Sequence, residues 1–142
     1  MFCAPTIAQS GSAAEIVHAN LEILLVEDDG GVSCAVARML RGSGYTVATF
    51  GSAEALLERA QAGGLAASGT CVVCDIRLPG MSGFELYRRL AEAGPLPPWI
   101  FITAHDDASV RGQVAGLQAK YLPKPFEGRA LLAMVAQALH AA

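Results

Sequence analysis

The chain of 142 residues has no apolar run long enough to cross a membrane and no large excess of charge. A membrane helix needs about 18 or more apolar residues in a row, and here the apolar fraction of 53% owes much to 26 scattered alanines. The net charge of −3 is unlike the basic footprint of nucleic-acid binding. Residues 1–20 lack the charged start and long apolar core of a secretory signal. We therefore expect a soluble, cytoplasmic protein that contacts no membrane and makes no direct contact with nucleic acid.

Cysteine is too sparse for a zinc site. Of Cys3, Cys34, Cys71 and Cys74, only the last two have a metal-ligand spacing, and no second Cys or His pair accompanies them. Both lie in an apolar run with strand character, where residues three apart point to opposite faces. We interpret them as buried structural thiols.

What the chain does have is a regular alternation of two apolar patterns. Short runs rich in β-branched and aromatic residues, typical of strands, occur at 23–26, 45–50, 71–74, 99–103 and 120–122. Apolar residues at helical spacing lie between them: Val32, Val36, Met39 and Leu40; Leu56 and Leu57, after the expected cap Ser52; Phe84, Tyr87 and Leu90; Val110, Val114 and Leu117; Leu131, Leu132, Val135 and Leu139. This order predicts a (βα)5 α/β fold with a doubly wound parallel sheet.

The domain organisation follows from where that alternation begins. Residues 1–20 are small and polar with one faint helical patch, and we expect a flexible N-terminal extension there. Residues 21–142 are long enough to bury one core without disulfide or metal staples, so they should form a single domain.

Charged residues follow three of the predicted strands. Asp75 comes directly after the apolar run 71–74, Glu27-Asp28-Asp29 after the first run, and Lys124 after the fifth. Open α/β sheets place their chemistry at the carboxyl ends of the strands. Together these residues predict an acidic cluster that contains one cation.

That set resembles the receiver domain of bacterial two-component response regulators, over roughly residues 21 to 140. Five separated pieces carry the resemblance, each at the end of an apolar run: Glu27-Asp28, Asp75 with Pro79 and Gly83, Thr103-Ala104, Tyr121, and Lys124-Pro125. The residues at 75–83 and 101–107 are most similar to receivers of the nitrogen-fixation-regulator type. The resemblance implies a flavodoxin-like fold with strand order 2-1-3-4-5, in which strands 1 and 3 are neighbours.

With those strands adjacent, the carboxylates of Glu27, Asp28 and Asp75 would converge, and they would repel one another unless a cation lay among them. Oxygen ligands without His or Cys favour a hard ion, and Mg²⁺ suits a shallow site that keeps several waters. The resemblance implies that Asp28 and Asp75 bind the metal directly, that the backbone carbonyl of Arg77 is a third ligand, and that Glu27 acts through water.

The resemblance also assigns the remaining roles. Asp75 would be the nucleophile that accepts a phosphoryl group, and Lys124 would contact one phosphoryl oxygen. Lys124 is one of only two lysines beside eight arginines, and a compact ammonium suits a single oxygen. The Thr103 hydroxyl would donate a hydrogen bond to the phosphoryl group, and the Tyr121 ring would swing inward in response. The Lys124-Pro125 bond is expected to be cis, and His105 to lie on the rim of the site.

We therefore expect a phosphoacceptor switch rather than an enzyme that acts on other substrates. Its partners would be a sensor histidine kinase or a phosphotransfer protein. The fourth helix, fifth strand and fifth helix would form an output face for a homodimer or an output domain. Two alternatives stay open: a pseudo-receiver that acts as an interaction module without phosphate, and a haloacid-type phosphatase. The latter class needs a second Asp two residues after the nucleophile, where this chain has Arg77.

Overall fold

The computed structural model describes residues 21–65 and 68–140, which form one five-stranded parallel sheet with helices on both faces. The strands are β1 (Glu22–Val26), β2 (Thr46–Phe50), β3 (Thr70–Asp75), β4 (Trp99–Thr103) and β5 (Lys120–Pro123). The helices are α1 (Gly30–Gly42), α2 (Ala53–Gly63), α3 (Gly83–Ala93), α4 (Ala108–Ala115) and α5 (Gly128–His140). The strand order is β2-β1-β3-β4-β5, which confirms the predicted (βα)5 fold. The predicted N-terminal extension lies outside the described residues.

The central strands are apolar except at their ends because helices cover both of their faces. All six residues of β3 are buried, and side chains alternate between two hydrophobic clusters on opposite sides of the sheet. Cys71 faces one cluster and Cys74 the other, as expected. Burial raises the pKa of the Cys71 thiol to about 12, so this thiol stays protonated at neutral pH. Both cysteines are therefore core residues.

Short polar side chains fix where four helices begin. Asp29, Ser52, Ser82 and Asp107 each accept a hydrogen bond from a backbone N–H group in the first turn of α1, α2, α3 and α4, respectively. These bonds satisfy donors that have no partner within a helix. The predicted cap at Ser52 is confirmed. Because each capped end follows the carboxyl end of a strand, the caps fix the loops along one edge of the sheet.

The boundaries differ from the predicted ones by a few residues. The fourth helix ends at Ala115, where Gly116 caps it, so Leu117 lies beyond the helix on which its spacing had placed it. The N–H of Leu117 still donates to the carbonyl of Val114, a tightened last turn that keeps the helical spacing for one more residue. Pro123 lies on the edge strand β5, as expected for a residue without an N–H donor. Within the described part of the chain, no helix is both long enough and apolar enough to span a bilayer.

Gly83, the first residue of α3, is predicted to be required by close packing. A Cβ at this position would press on the carbonyl oxygen of Asp75 and lie 3.0 Å from the Cα of Ile76. We expect Gly83→Ala to lower the free energy of unfolding by about 1–3 kcal/mol in urea melts, the usual cost of overpacking. Gly112, inside α4, has open space around it, so Gly112→Ala should instead stabilise by about 0.5–1 kcal/mol. Equal effects of the two substitutions would contradict the packing argument.

Candidate functional site

Three carboxylates meet at the carboxyl edge of the sheet because β1 and β3 are neighbours in register. Val26 pairs with Cys74, so the residues that follow, Glu27 and Asp75, leave the sheet side by side. One oxygen from each of Glu27, Asp28 and Asp75 lies within 4.8 Å of the others. Glu27 and Asp75 are only 3% and 6% exposed, whereas Asp28 is open to solvent. The predicted acidic cluster is thus present, with one side accessible.

Lys124 joins this cluster from the far side of β4. Its Nζ donates to Glu27 Oε1 at 2.7 Å and to Asp75 Oδ2 at 2.9 Å. The backbone N–H of Lys124 donates to the carbonyl of Thr103 at 2.7 Å, which ties the end of β5 to the end of β4, and the Lys124-Pro125 bond is cis as expected. Burial opposes the charge on Lys124, but the hydrogen bonds to Glu27 and Asp75 outweigh it and raise the pKa of the ammonium. Lys124 therefore stays protonated at neutral pH.

Opposing interactions act on the charge of Glu27. Burial raises the pKa of its carboxyl group, and the nearby charge of Asp75 adds to that effect. Hydrogen bonds from Lys124 and from the backbone N–H of Asp29 act in the opposite direction but do not cancel the burial. The cluster can therefore accommodate more positive charge than Lys124 alone supplies.

The residues fit a hard divalent cation. The group consists only of carboxylate oxygens, and the exposed Asp28 leaves one side open to water. Mg²⁺ prefers such oxygen ligands and usually keeps several waters when it binds. The other predicted ligand is the backbone carbonyl of Arg77. The N–H of Arg77 donates to Asp75 Oδ1 at 3.0 Å, so the chain turns back towards the cluster at this residue.

The loop after Asp75, residues 76–82, is held at three points. The Arg77 N–H bonds Asp75, the Gly83 N–H donates to the Ile76 carbonyl, and the N–H of Met81 donates to Glu54 Oε2 at 2.9 Å. The sequence did not reveal the part played by Glu54, because an acidic residue in the first turn of a helix has an ordinary explanation in the helix dipole. Its contact with the loop depends on how α2 packs beside α3.

Thr103 and Tyr121 lie on adjacent strands but make different contacts. Thr103 is fully buried, and its hydroxyl accepts a hydrogen bond from the N–H of His105 at 3.0 Å. Tyr121 is half-buried, and its hydroxyl donates to Asp106 Oδ1 at 2.7 Å. The His105 side chain is exposed, on the loop between β4 and α4. Nothing in the sequence had pointed to Asp106 as a partner of Tyr121.

The fold and this arrangement define the class of protein. The family described as the response regulator receiver domain matches residues 23–136, and the chain belongs to that family. Receiver domains of response regulators are phosphoacceptor switches that work with histidine kinases and output domains. The predicted family and its role in two-component signalling are confirmed at this level.

Individual relatives show the same relationship. The chain is 38% identical over 119 residues to the response regulator protein TmoT of Ectopseudomonas mendocina, an alignment that covers 82% of this chain and 52% of that protein. It is 33% identical over 121 residues to the transcriptional regulatory protein FixJ of Azorhizobium caulinodans, an alignment that covers 84% of this chain and 56% of that protein. The crystal structure of FixJ-N superposes with a TM-score of 0.75 at 30% identity, covering 86% of this chain and 95% of that one. The chain thus spans about half the length of these two curated relatives.

Removal of the Lys124 charge should produce a pH-dependent loss of stability. Without Mg²⁺, Lys124→Met leaves buried carboxylates without a counter-charge, which costs about 3–5 kcal/mol in fully buried pairs. Because the Lys124 side chain is 19% exposed, we expect about 2 kcal/mol at pH 7 in urea melts. The pKa of Glu27 should rise further in the variant. The loss should therefore be smallest while Glu27 is protonated in both folded proteins, and it should grow as the pH rises through the wild-type Glu27 pKa, which lies above the ordinary value of 4.5.

The control is Lys120→Met, which changes the other lysine of the chain, an exposed one at the start of β5. It should leave stability almost unchanged at every pH. A difference between wild type and Lys124→Met that does not vary with pH would contradict the electrostatic explanation.

Proposed function

We propose that this chain is a phosphoacceptor switch in which Asp75 takes a phosphoryl group from the phosphohistidine of a sensor histidine kinase or a phosphotransfer protein. The observation that carries the proposal is the position of Asp75. Its carboxylate is buried beside Glu27 and Asp28, and the Lys124 ammonium lies 2.9 Å from its Oδ2. A carboxylate with a cation beside it can act as a nucleophile while its neighbours hold the incoming group.

The proposed step is a displacement at phosphorus. A carboxylate oxygen of Asp75 forms a bond to phosphorus, the bond from phosphorus to the histidine nitrogen breaks, and that nitrogen keeps the electron pair. The product is an acyl phosphate on Asp75. Charge develops on the oxygens of the transferred group, so catalysis depends chiefly on cations that are already in position. Lys124 supplies one such cation, beside Oδ2 of Asp75. The Arg77 N–H positions Oδ1, the other oxygen of the Asp75 carboxylate.

The proposal includes Mg²⁺ as cofactor, with Asp28, Asp75 and the Arg77 carbonyl as direct ligands and Glu27 acting through water. When bound, Mg²⁺ neutralises charge on the phosphoryl oxygens. The cluster of three carboxylates and the raised pKa of the buried Glu27 support this assignment, because both indicate a need for positive charge.

The proposed output uses Thr103 and Tyr121. A phosphoryl group on Asp75 would draw the Thr103 hydroxyl towards it, and the Tyr121 ring would turn inward, changing the face formed by α4, β5 and α5. A second copy of the chain or an output domain would bind there, with the whole system in the cytoplasm. The intact set of Asp28, Asp75, Thr103 and Lys124 disfavours a pseudo-receiver. Arg77, in place of the second aspartate, disfavours a haloacid-type phosphatase.

Phosphorylation of Asp75 can be tested directly. Incubation with acetyl phosphate and Mg²⁺ should add one phosphate to the wild type by intact mass, and hydroxylamine should remove it because an acyl phosphate is labile to that nucleophile. Asp75→Asn should not be labelled, since an amide cannot accept the group in this way.

Asp29→Asn is the matched control. Asp29 lies at the same edge of the sheet but caps α1, and asparagine caps a helix about as well as aspartate. This variant should be labelled like the wild type. Labelling of Asp75→Asn at the wild-type rate would rule out the proposed nucleophile.

The metal assignment predicts stabilisation by mass action. At a free Mg²⁺ concentration 100 times the dissociation constant, the free energy of unfolding should rise by about 2.7 kcal/mol. Asp28→Asn should lose most of this gain, because it replaces a charged ligand by a neutral amide oxygen without disturbing the core. Thermal melts of both proteins with Mg²⁺, with Ca²⁺ and with EDTA provide the measurement. Identical melting temperatures of the wild type with and without millimolar Mg²⁺ would argue against the site.

A further inference from the structure

The loop between β4 and α4 carries a cluster formed by Asp106, Tyr121 and Arg111, here called the Asp106 cluster. Oδ1 of Asp106 accepts a hydrogen bond from the Tyr121 hydroxyl at 2.7 Å and another from Arg111 Nη1, also at 2.7 Å. Hydrogen bonds to an ionised carboxylate are shorter and stronger than neutral ones. The two bonds lower the pKa of Asp106, that from Tyr121 more than that from Arg111, so the acceptor stays charged at neutral pH.

The cluster fixes the position of the tyrosine ring. Asp106 is exposed, and a ring whose hydroxyl is bonded to it keeps its polar end at the surface. Arg111 comes from the second turn of α4 and holds the same carboxylate oxygen, so the acceptor is itself oriented. Tyr121 can turn inward only after its bond to Asp106 breaks.

The same loop is connected to the phosphorylation site. The hydroxyl of Thr103 accepts the N–H of His105, the residue immediately before Asp106. If Thr103 turned its hydroxyl towards a phosphoryl group on Asp75, the loop would lose this bond. Asp106 follows directly in the chain, so a movement of residues 104–105 would carry its carboxylate away from the Tyr121 hydroxyl.

We propose that Asp106 is a positioning residue that holds Tyr121 in its outward orientation in the unphosphorylated state, and that the shift of Thr103 releases it. This inference rests on the proposed function, since it concerns how phosphorylation of Asp75 reaches the α4–β5–α5 face. Arg111 contributes by orienting the Asp106 carboxylate. The residues that set the resting state are therefore on the β4–α4 loop and α4, not among those that bind the phosphoryl group.

Coupling between two sites is reciprocal, and this gives the inference a measurable consequence. If the Asp106 cluster favours the outward state, removing it should make the phosphoryl site bind a phosphoryl mimic more tightly. Coupling in switching proteins commonly changes affinity by about 5–150-fold. Because the bonds of this cluster are exposed, we expect a change of about fivefold, at the low end of that range.

The test is an NMR titration with beryllofluoride in the presence of Mg²⁺, which mimics the phosphoryl group. Asp106→Ala should lower the beryllofluoride concentration at half-saturation by about fivefold, and its Tyr121 ring signals should shift towards the activated ones before any mimic is added. Tyr121→Phe removes the hydrogen-bond donor and should lower the half-saturation point similarly. In the Tyr121→Phe background, Asp106→Ala should have no further effect, because the contact that it breaks is already absent.

Glu127→Ala is the matched control. Glu127 is an exposed acid whose carboxylate faces Arg129 at 3.8 Å rather than Tyr121, and its removal should not change the titration. Failure of the wild type to respond to beryllofluoride would overturn the proposed function and this inference with it. A normal wild-type response with an unchanged or raised half-saturation point in both Asp106→Ala and Tyr121→Phe would overturn only the inference. So would a fivefold effect of Asp106→Ala that persists in the Tyr121→Phe background.

Discussion

The ion pairs of Lys124 are the interaction on which the rest of the site depends. Glu27 and Asp75 leave neighbouring strands in register, so the sheet forces two buried carboxylates together, and a cation beside them offsets their repulsion and their loss of hydration. Lys124 reaches both oxygens from the end of β5, beyond the intervening strand β4. One side chain thereby connects the ends of three strands. The arrangement remains short of positive charge, so the cluster could hold a divalent cation as well.

The apolar core makes this concentration of charge possible. Strands β1, β3 and β4 are buried almost without interruption, and the two hydrophobic clusters on either side of the sheet hold their ends in fixed register. Capping residues then fix the start of each helix beside those ends. The polar groups at the edge are therefore positioned by rigid elements.

Two loops extend from this edge and have different roles. The loop after Asp75 is closed by hydrogen bonds at both ends and by Glu54 in the middle, and this arrangement keeps the Arg77 backbone near the acids. The loop after Thr103 is tied to the site by one hydroxyl and to the surface through Asp106. In the proposed switch, a change at Thr103 would reach Tyr121 through this loop.

The sequence alone was sufficient for the fold and for much of the site. Alternating strand and helix patterns predicted the five units, and Asp75, Glu27, Asp28, Thr103 and Lys124 could be assigned to strand ends because each follows or closes an apolar run. The order of the strands came from resemblance, since periodicity does not show which strands are neighbours. Glu54, Asp106 and Arg111 could not have been found this way. Their spacing matches that of ordinary exposed helix and loop residues. Glu54 gains its contact only when α2 packs beside the loop after β3, and Asp106 gains Tyr121 only when β5 lies against the loop after β4. Arg111 contacts Asp106 locally, and its relation to Tyr121 depends on that second contact. Local pattern determines which residues lie at the ends of strands, whereas contacts between residues distant in sequence depend on tertiary packing.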